Sequence, residues 1–103
     1  MSVVIVATLV PKGECRDDLI SSLERTIARV HVEDAGCELY ALHEADDRLV
    51  FVEKWLDSAA LDAHSKSPAF VELMENLTSR LAAPMEVIVL RPHPAGSVDQ
   101  GAI

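Results

Sequence analysis

Basic residues are scarce in this chain. Of its 103 residues only nine are Lys or Arg, against seventeen Asp or Glu, which gives a formal charge of −8 at pH 7. Proteins that bind nucleic acid or anionic membrane surfaces need a basic patch to neutralise phosphate groups. We therefore expect no nucleic-acid partner and no membrane partner.

Long apolar runs and cysteines are also few. No stretch approaches the roughly 20 apolar residues that a membrane span needs, and residues 1–6 lack the basic start and the cleavage site of a signal peptide. We expect a cytoplasmic protein. Cys15, Cys37 and the four scattered histidines show no metal-ligand spacing, so the sequence predicts no metal site.

Hydrophobic residues, in contrast, make up half of the chain, which is enough for one packed core at this length. The apolar periodicity and the turn residues delimit the secondary structure. The predicted elements are a strand at 3–10, a helix at 14–32, strands at 37–44 and 49–56, a short helix ending at His64, a helix from Ser67 to about Leu81, and a strand at 85–91.

This order predicts an α+β fold of the ferredoxin-like β-α-β-β-α-β type, with two helices on one face of a four-stranded antiparallel sheet. Residues 1–92 form the single domain, and residues 93–103 form a C-terminal tail of linker composition. Strands 3–10 and 85–91 are apolar on both faces. Because soluble monomers rarely expose so large an apolar patch, we expect a homodimer packed sheet against sheet.

The register of the middle hairpin follows if residues 46–47 form a two-residue turn. Three pairs then lie on one side of the sheet: Leu42–Phe51, Tyr40–Glu53 and Glu38–Trp55. Cys37 falls on the opposite side. Gly36, just after the first helix, is expected to adopt a left-handed cap conformation.

The region from residue 49 to residue 64 holds the most candidate chemistry, because it places an acid, the only indole and an imidazole within twelve positions. His64 has the side chain whose ordinary pKa lies nearest neutrality, so it is a candidate base. Glu53 lies on a central strand and needs a partner if it is buried, either a cation or the hydroxyl of Tyr40. The residues alone leave open a purely structural role for each of them.

Three motifs in this region and just before it resemble the antibiotic biosynthesis monooxygenase family. The motifs are Glu33-x-x-Gly36-Cys37-x-x-Tyr40, Phe51-x-Glu53-x-Trp55, and Ala60-Leu61-x-x-His64-x-x-Ser67-x-x-Phe70. The resemblance covers residues 3 to 91. It implies a small dimeric α+β barrel, as in the quinol monooxygenases of this family, with a pocket between the sheet and the helices and with oxygenation that proceeds without metal or flavin.

The resemblance also implies which side chains form the pocket. His64 and Glu53 are the predicted catalytic residues, and the predicted substrate-binding residues are Trp55, Tyr40, Phe51, Phe70 and Met74. Met74, Phe70 and Leu77 also form a stripe at helical spacing, and core packing is the first interpretation of that stripe. The haem-degrading branch of the family is disfavoured, because Met74 stands where that branch has a ligating His and strand 3–10 contains no Asn.

The leading hypothesis is a cofactor-independent monooxygenase that oxidises a small aromatic, phenolic or quinol-type substrate with dioxygen. In this hypothesis His64 acts as the base, the indole of Trp55 stacks on the flat substrate, and Glu53 and Tyr40 orient the substrate. Two alternatives stay open at this point. One is an isomerase of a small keto or hydroxy metabolite in the same pocket, and the other is a dimeric ligand-binding module without catalysis.

Overall fold

A computed structural model describes residues 1–103. It contains four strands and three α-helices in the order β1 (Val3–Leu9), α1 (Arg16–Glu33), β2 (Cys37–Glu44), β3 (Leu49–Trp55), α2 (Ser58–Ser65), α3 (Pro68–Leu77) and β4 (Glu86–Leu90). A 3₁₀ turn at Gly13–Cys15 precedes α1. The predicted α+β class and the predicted order of elements are confirmed.

The four strands form one antiparallel sheet in the order β2-β3-β1-β4. The connection from β1 to β2 through α1 passes over β3, and the connection from β3 to β4 through α2 and α3 passes over β1. These two crossovers are what the ferredoxin-like topology requires. The predicted hairpin register is confirmed in its central part, where Tyr40 lies opposite Glu53 and Leu42 lies opposite Phe51. The side chains of these four residues therefore share one face of the sheet.

The helices cover that face and form the core with it. The two longer helices, α1 and α3, pack against each other and against the sheet, because each has an apolar stripe at helical spacing. The largest fully buried side chains are Trp55, Leu9, Leu19, Leu23, Leu49, Leu77 and Val30. The core therefore lies between one sheet face and the helix layer.

Two side-chain caps fix where α2 and α3 begin. The Asp57 side chain accepts a hydrogen bond of 2.8 Å from the Ala60 amide, and the Ser67 hydroxyl accepts one of 3.2 Å from the Phe70 amide. Pro68 follows Ser67 at the first position of α3, where its missing N–H costs nothing. These caps set the chain direction on both sides of His64.

The third helix is shorter than the sequence predicts. It ends at Leu77 instead of continuing to about Leu81. The segment after it turns back along the end of β1, where the Lys12 amide donates to the Arg80 carbonyl and the Ala82 amide donates to the Val10 carbonyl, each over 2.8 Å. These long-range bonds replace the helical bonds that the apolar periodicity favours.

A bulge at the start of β2 corrects the predicted register there. The pairing shifts between Cys37 and Leu39, so that Cys37, and not Glu38, lies opposite Trp55. Cys37 consequently packs against the helix-covered core, and the prediction that it lies on the opposite face is wrong. Glu38 is exposed and lies 3.5 Å from the Lys54 ammonium group.

Gly36 is needed for close packing and not for a left-handed cap. Its φ is not positive; Gly96 in the tail is the only residue with a positive φ. A Cβ atom on Gly36 would overlap the Cβ of Ala60 in α2. The missing side chain therefore allows α2 to lie directly against the 34–37 loop.

The second face of the sheet carries no helix. One row of it runs across all four strands as Ala41, Val52, Val6 and Ile88. The edge strand β4 is exposed along its whole length, with Ile88 55% exposed. Residues 91–103 form no helix or strand. None of the helices is both long enough and apolar enough to cross a membrane.

Candidate active site

A cavity of about 400 Å³ lies between the helix-covered face of the sheet and the helices α2 and α3. Twelve of its seventeen lining residues are hydrophobic. The sheet contributes side chains from β1, β2, β3 and β4, and α2 and α3 close the other side. A volume of a few hundred Å³ with mostly apolar walls is typical of small-molecule sites.

Three buried polar side chains face this cavity: Tyr40 from β2, Glu53 from β3 and His64 from α2. Three more polar residues, Ser58, Asp62 and Ser65, line it from α2. No Lys or Arg is among the lining residues. The cavity therefore offers hydrogen-bonding groups but no cation to neutralise an anionic ligand.

Glu53 is buried beside an indole donor. The Trp55 Nε1–H donates a hydrogen bond of 2.9 Å to Oε1 of Glu53, whose residue surface is only 6% exposed. Burial raises the pKa of the Glu53 carboxyl to about 7, and the bond from Trp55 opposes this rise. The other carboxyl oxygen, Oε2, has no hydrogen-bond partner in the chain. Every fully enclosed polar side-chain atom does have a partner, so Oε2 is not fully enclosed and is accessible from the cavity that Glu53 lines.

The hydrogen-bond partner of Glu53 is thus not one of the two that the sequence predicts. Neither a cation nor Tyr40 bonds to this carboxyl group, and the indole of Trp55 does. Tyr40 packs instead against Phe51, with 4.7 Å between ring centroids. Burial is the largest cause that raises the pKa of the Tyr40 hydroxyl above its ordinary value, and the nearby Glu53 adds to it, so the phenol stays protonated.

His64 lies in an aromatic cage with a carboxylate behind it. Its ring centroid is 4.4 Å from that of Trp55, 4.9 Å from that of Phe70 and 5.3 Å from that of Tyr40. Its Nδ1 is 2.6 Å from Oδ2 of Asp34. The other ring nitrogen, Nε2, has no partner in the chain and is not fully enclosed. His64 lines the cavity and also a second, shallower pocket beside Asp34 and Gly36.

The structure thus brings together five of the seven residues that the sequence analysis assigned to the pocket. His64, Glu53, Tyr40, Phe51 and Phe70 all line the same cavity.

The remaining two residues lie elsewhere. Trp55 is 0% exposed and does not reach the cavity surface, because its indole is covered by His64 and held at Glu53. Met74 packs against the core and lines a neighbouring cleft with Leu81 and Pro84. Trp55 therefore supports the polar groups from behind, and neither Trp55 nor Met74 is among the residues that line the cavity.

Sequence reasoning missed Asp34. This residue ends α1 and lies thirty positions before His64, so no local spacing connects the two. The available signal was weak, since Asp34 falls inside the Glu33-x-x-Gly36 motif without being one of its marked positions.

No group of three or more His, Cys, Asp or Glu side chains lies close enough together to hold a metal ion.

The chain matches a known protein family over most of its length. The family model described as antibiotic biosynthesis monooxygenase matches residues 2–76, which include every buried polar residue of the cavity. The chain belongs to the antibiotic biosynthesis monooxygenase family.

Individual members of the antibiotic biosynthesis monooxygenase family match over most of their length. The chain is 33% identical over 92 residues to Rv0793 of Mycobacterium tuberculosis, a protein whose name proposes a monooxygenase, across 87% of this chain and 90% of that protein. The structure of Rv0793 superposes with a TM-score of 0.87, at 28% identity, over 94% of this chain and 100% of that chain. YcnE of Bacillus subtilis, whose name also proposes a monooxygenase, is 26% identical over 89 residues, across 84% of this chain and 93% of that protein.

Proposed function

We propose that this protein is a cofactor-independent monooxygenase that inserts one atom of dioxygen into a small, uncharged aromatic substrate of the phenol or quinol type. The observation that carries the proposal is the convergence of His64, Glu53 and Tyr40 on one apolar cavity. Family membership and the names of the relatives support monooxygenase chemistry.

The lining of the cavity favours this class of substrate. Phe51 and Phe70 offer aromatic surface to a flat ring. The absence of Lys and Arg from the lining disfavours phosphates and carboxylates, whose charge would be buried without a partner. A phenol or hydroquinone is neutral until a base removes its proton, so it enters such a cavity without that cost.

The proposed reaction needs no external reductant. A phenol with a free para position reacts with dioxygen to give a para-quinone and one molecule of water, so the substrate supplies all four electrons. His64 Nε2 takes the phenolic proton, and the phenolate transfers one electron to dioxygen. The phenoxyl radical and superoxide combine at the para carbon and take up a proton to form a hydroperoxide. The O–O bond then breaks as the ring proton leaves, and the departing hydroxide is protonated to water.

Glu53 and Tyr40 orient the substrate in this scheme. The Tyr40 hydroxyl stays protonated, so it can donate a hydrogen bond to a substrate oxygen. The Glu53 carboxyl, with a pKa of about 7, is partly protonated near neutral pH and can donate or accept at the cavity. Both groups line the cavity, so in its neutral form each can donate a hydrogen bond to a phenolate oxygen bound there.

An oxygen electrode tests the proposal with a panel of phenols and hydroquinones that includes 1-naphthol. We expect oxygen uptake above the uncatalysed rate, and a loss of about 10²-fold or more in kcat in His64→Ala, because that variant lacks the base. His93→Ala is the matched control, since His93 is exposed in the tail. The proposed function fails if no substrate of the panel is consumed, or if His64→Ala leaves turnover unchanged.

The same acid and base would also serve an isomerase. Glu53 and His64 line one cavity, and the pKa of the Glu53 carboxyl is about 7. An isomerase moves protons and needs no oxidant. Turnover that continues under strictly anaerobic conditions would favour this alternative, and turnover that stops without dioxygen would favour the monooxygenase.

We further propose that the working form is a homodimer through the uncovered sheet face. The row from Ala41 through Val52 and Val6 to Ile88 is apolar across all four strands. A second copy of the same face would bury it, as an isologous contact requires.

Light scattering coupled to gel filtration measures the mass of the particle. We expect twice the chain mass for the wild type and one chain mass for Val52→Glu, which places a charge in the centre of the apolar row. Val32→Glu is the control, because Val32 is 85% exposed on α1. A monomeric wild type contradicts the dimer.

A further inference from the structure

We propose that Asp34 is a positioning residue for His64: its carboxylate fixes the proton of the neutral imidazole on Nδ1 and thereby presents the lone pair of Nε2 to the cavity. The inference deepens the proposed function, and its catalytic part rests on that function. Neither the sequence motifs nor the relatives' names assign any role to Asp34.

The contact between the two side chains is short and protected from water. The distance from His64 Nδ1 to Asp34 Oδ2 is 2.6 Å, and the exposed fractions of the two side chains are 4% and 9%. Charge-assisted hydrogen bonds of this length are stronger than neutral ones, and shielding from solvent strengthens them further. The contact is therefore not a solvated surface pair that salt or water would readily replace.

The chemistry of the pair decides the tautomer. A carboxylate has no proton to donate, so Nδ1 must carry the hydrogen in the bond to Asp34. In the neutral ring, Nε2 is then the unprotonated nitrogen. Nε2 has no partner in the chain and is not fully enclosed, and the ring to which it belongs lines the cavity. The proposed arrangement therefore directs this basic atom to the substrate side.

The surroundings of the ring prevent a flip about the Cβ–Cγ bond, which would exchange Nδ1 with Cδ2 and Nε2 with Cε1 and so break the contact with Asp34. Trp55 lies against one side of the imidazole with an interplanar angle of 30°, whereas Phe70 and Tyr40 approach with angles above 60°. A ring enclosed in this way cannot turn without displacing core side chains.

The backbone holds Asp34 in place from both directions. Its amide donates to the Val30 carbonyl over 3.1 Å, and its own carbonyl accepts from the Cys37 amide over 3.0 Å. The next residue but one, Gly36, accepts a bond of 2.9 Å from the Leu56 amide and has no side chain to keep α2 away. The loop that carries Asp34 and the helix that carries His64 are thus fixed to each other.

Nitrogen-15 NMR of the imidazole side chains tests the arrangement without any substrate. We expect the neutral His64 ring of the wild-type protein to carry its hydrogen on Nδ1. In Asp34→Asn, whose amide can donate to Nδ1, we expect a shift toward the form with hydrogen on Nε2. A wild-type ring protonated on Nε2, or an unchanged tautomer in Asp34→Asn, overturns the proposal whether or not the protein oxidises quinols.

Steady-state kinetics tests the consequence for catalysis. We expect kcat for the best phenol of the panel to fall about tenfold or more in Asp34→Asn, with KM changed less than about twofold because Asp34 does not line the cavity. Asp34→Glu, which keeps a carboxylate, should retain the wild-type tautomer and recover part of kcat.

Two further variants separate positioning from folding. Glu33→Gln removes the neighbouring charge, which pairs with Arg29 at the surface, and should leave kcat and the tautomer unchanged. In a background of His64→Ala, the change Asp34→Asn should have no additional effect on turnover. An equal loss of kcat in the presence and in the absence of His64 would overturn the positioning role.

Discussion

The buried carboxyl group of Glu53 makes a specific prediction about stability and pH. Its pKa in the folded protein is about 7 against an ordinary value of 4.5, because burial disfavours the charged form. A pKa raised on folding means that the group's contribution to stability is complete below pH 4.5. This contribution is lost as the pH rises through about 7, and it changes no further above that value.

The size of the effect follows from the shift. A difference of about 2.5 pKa units corresponds to about 3 kcal/mol, at 1.36 kcal/mol per unit. Glu53→Gln removes the titration, and its amide oxygen can still accept the hydrogen bond from Trp55. We therefore expect the variant to match the wild type near pH 4 and to be more stable by about 3 kcal/mol at pH 8, or by about 10–15 °C in Tm for a chain of this length.

Urea unfolding of both proteins between pH 4 and pH 8.5 measures this difference. The difference between the two proteins is the relevant quantity, because the other ionisable groups contribute equally to both. Glu24→Gln, which removes an exposed carboxyl on α1, serves as the control for the loss of one acid. A difference that stays constant over this range, or that favours the wild type at high pH, would refute the assignment of Glu53 as a buried acid with a raised pKa.

Three further predictions concern the neighbours of the site. Gly36→Ala should lower the free energy of unfolding by about 1–3 kcal/mol, because its Cβ would overlap that of Ala60, and adding Ala60→Gly should recover part of the loss in urea unfolding. Trp55→Phe should raise the pKa of Glu53 further, because the indole bond lowers it, and NMR titration of the carboxyl carbon would show an opposite shift if this is wrong. Tyr40→Phe should raise KM about threefold or more while leaving Tm nearly unchanged; an unaltered KM would exclude a substrate contact by the hydroxyl.

Much of the fold could be predicted from the sequence, because its periodicities are strong. The period of two assigns the faces of the central strands, and the two-residue turn at 46–47 sets the register that places Tyr40 opposite Glu53. The helical stripes place α1 and α3 on one face of the sheet. The predictions failed where long-range contacts override local preference. The bulge before Leu39 and the early end of α3 at Leu77 both depend on bonds to residues far along the chain.

The candidate site shows the same division. His64, Glu53 and Tyr40 could be found because each is a chemically distinctive residue in an apolar setting or in a family motif. The partner of His64 could not, because Asp34 approaches it only after α1 and α2 have packed around Gly36. The interior position of Trp55 also could not be predicted. An indole can line a cavity with its ring face, or it can lie behind the cavity and donate its single N–H to a residue that does line it.

Oxygen-18 labelling tests the central claim most directly. If the cavity around His64 and Glu53 inserts dioxygen into a phenol, turnover of 1-naphthol under labelled dioxygen should give 1,4-naphthoquinone with one labelled oxygen atom. The second labelled atom should appear in water. A product without label, or recovery of the labelled oxygen as hydrogen peroxide, would contradict the monooxygenase assignment.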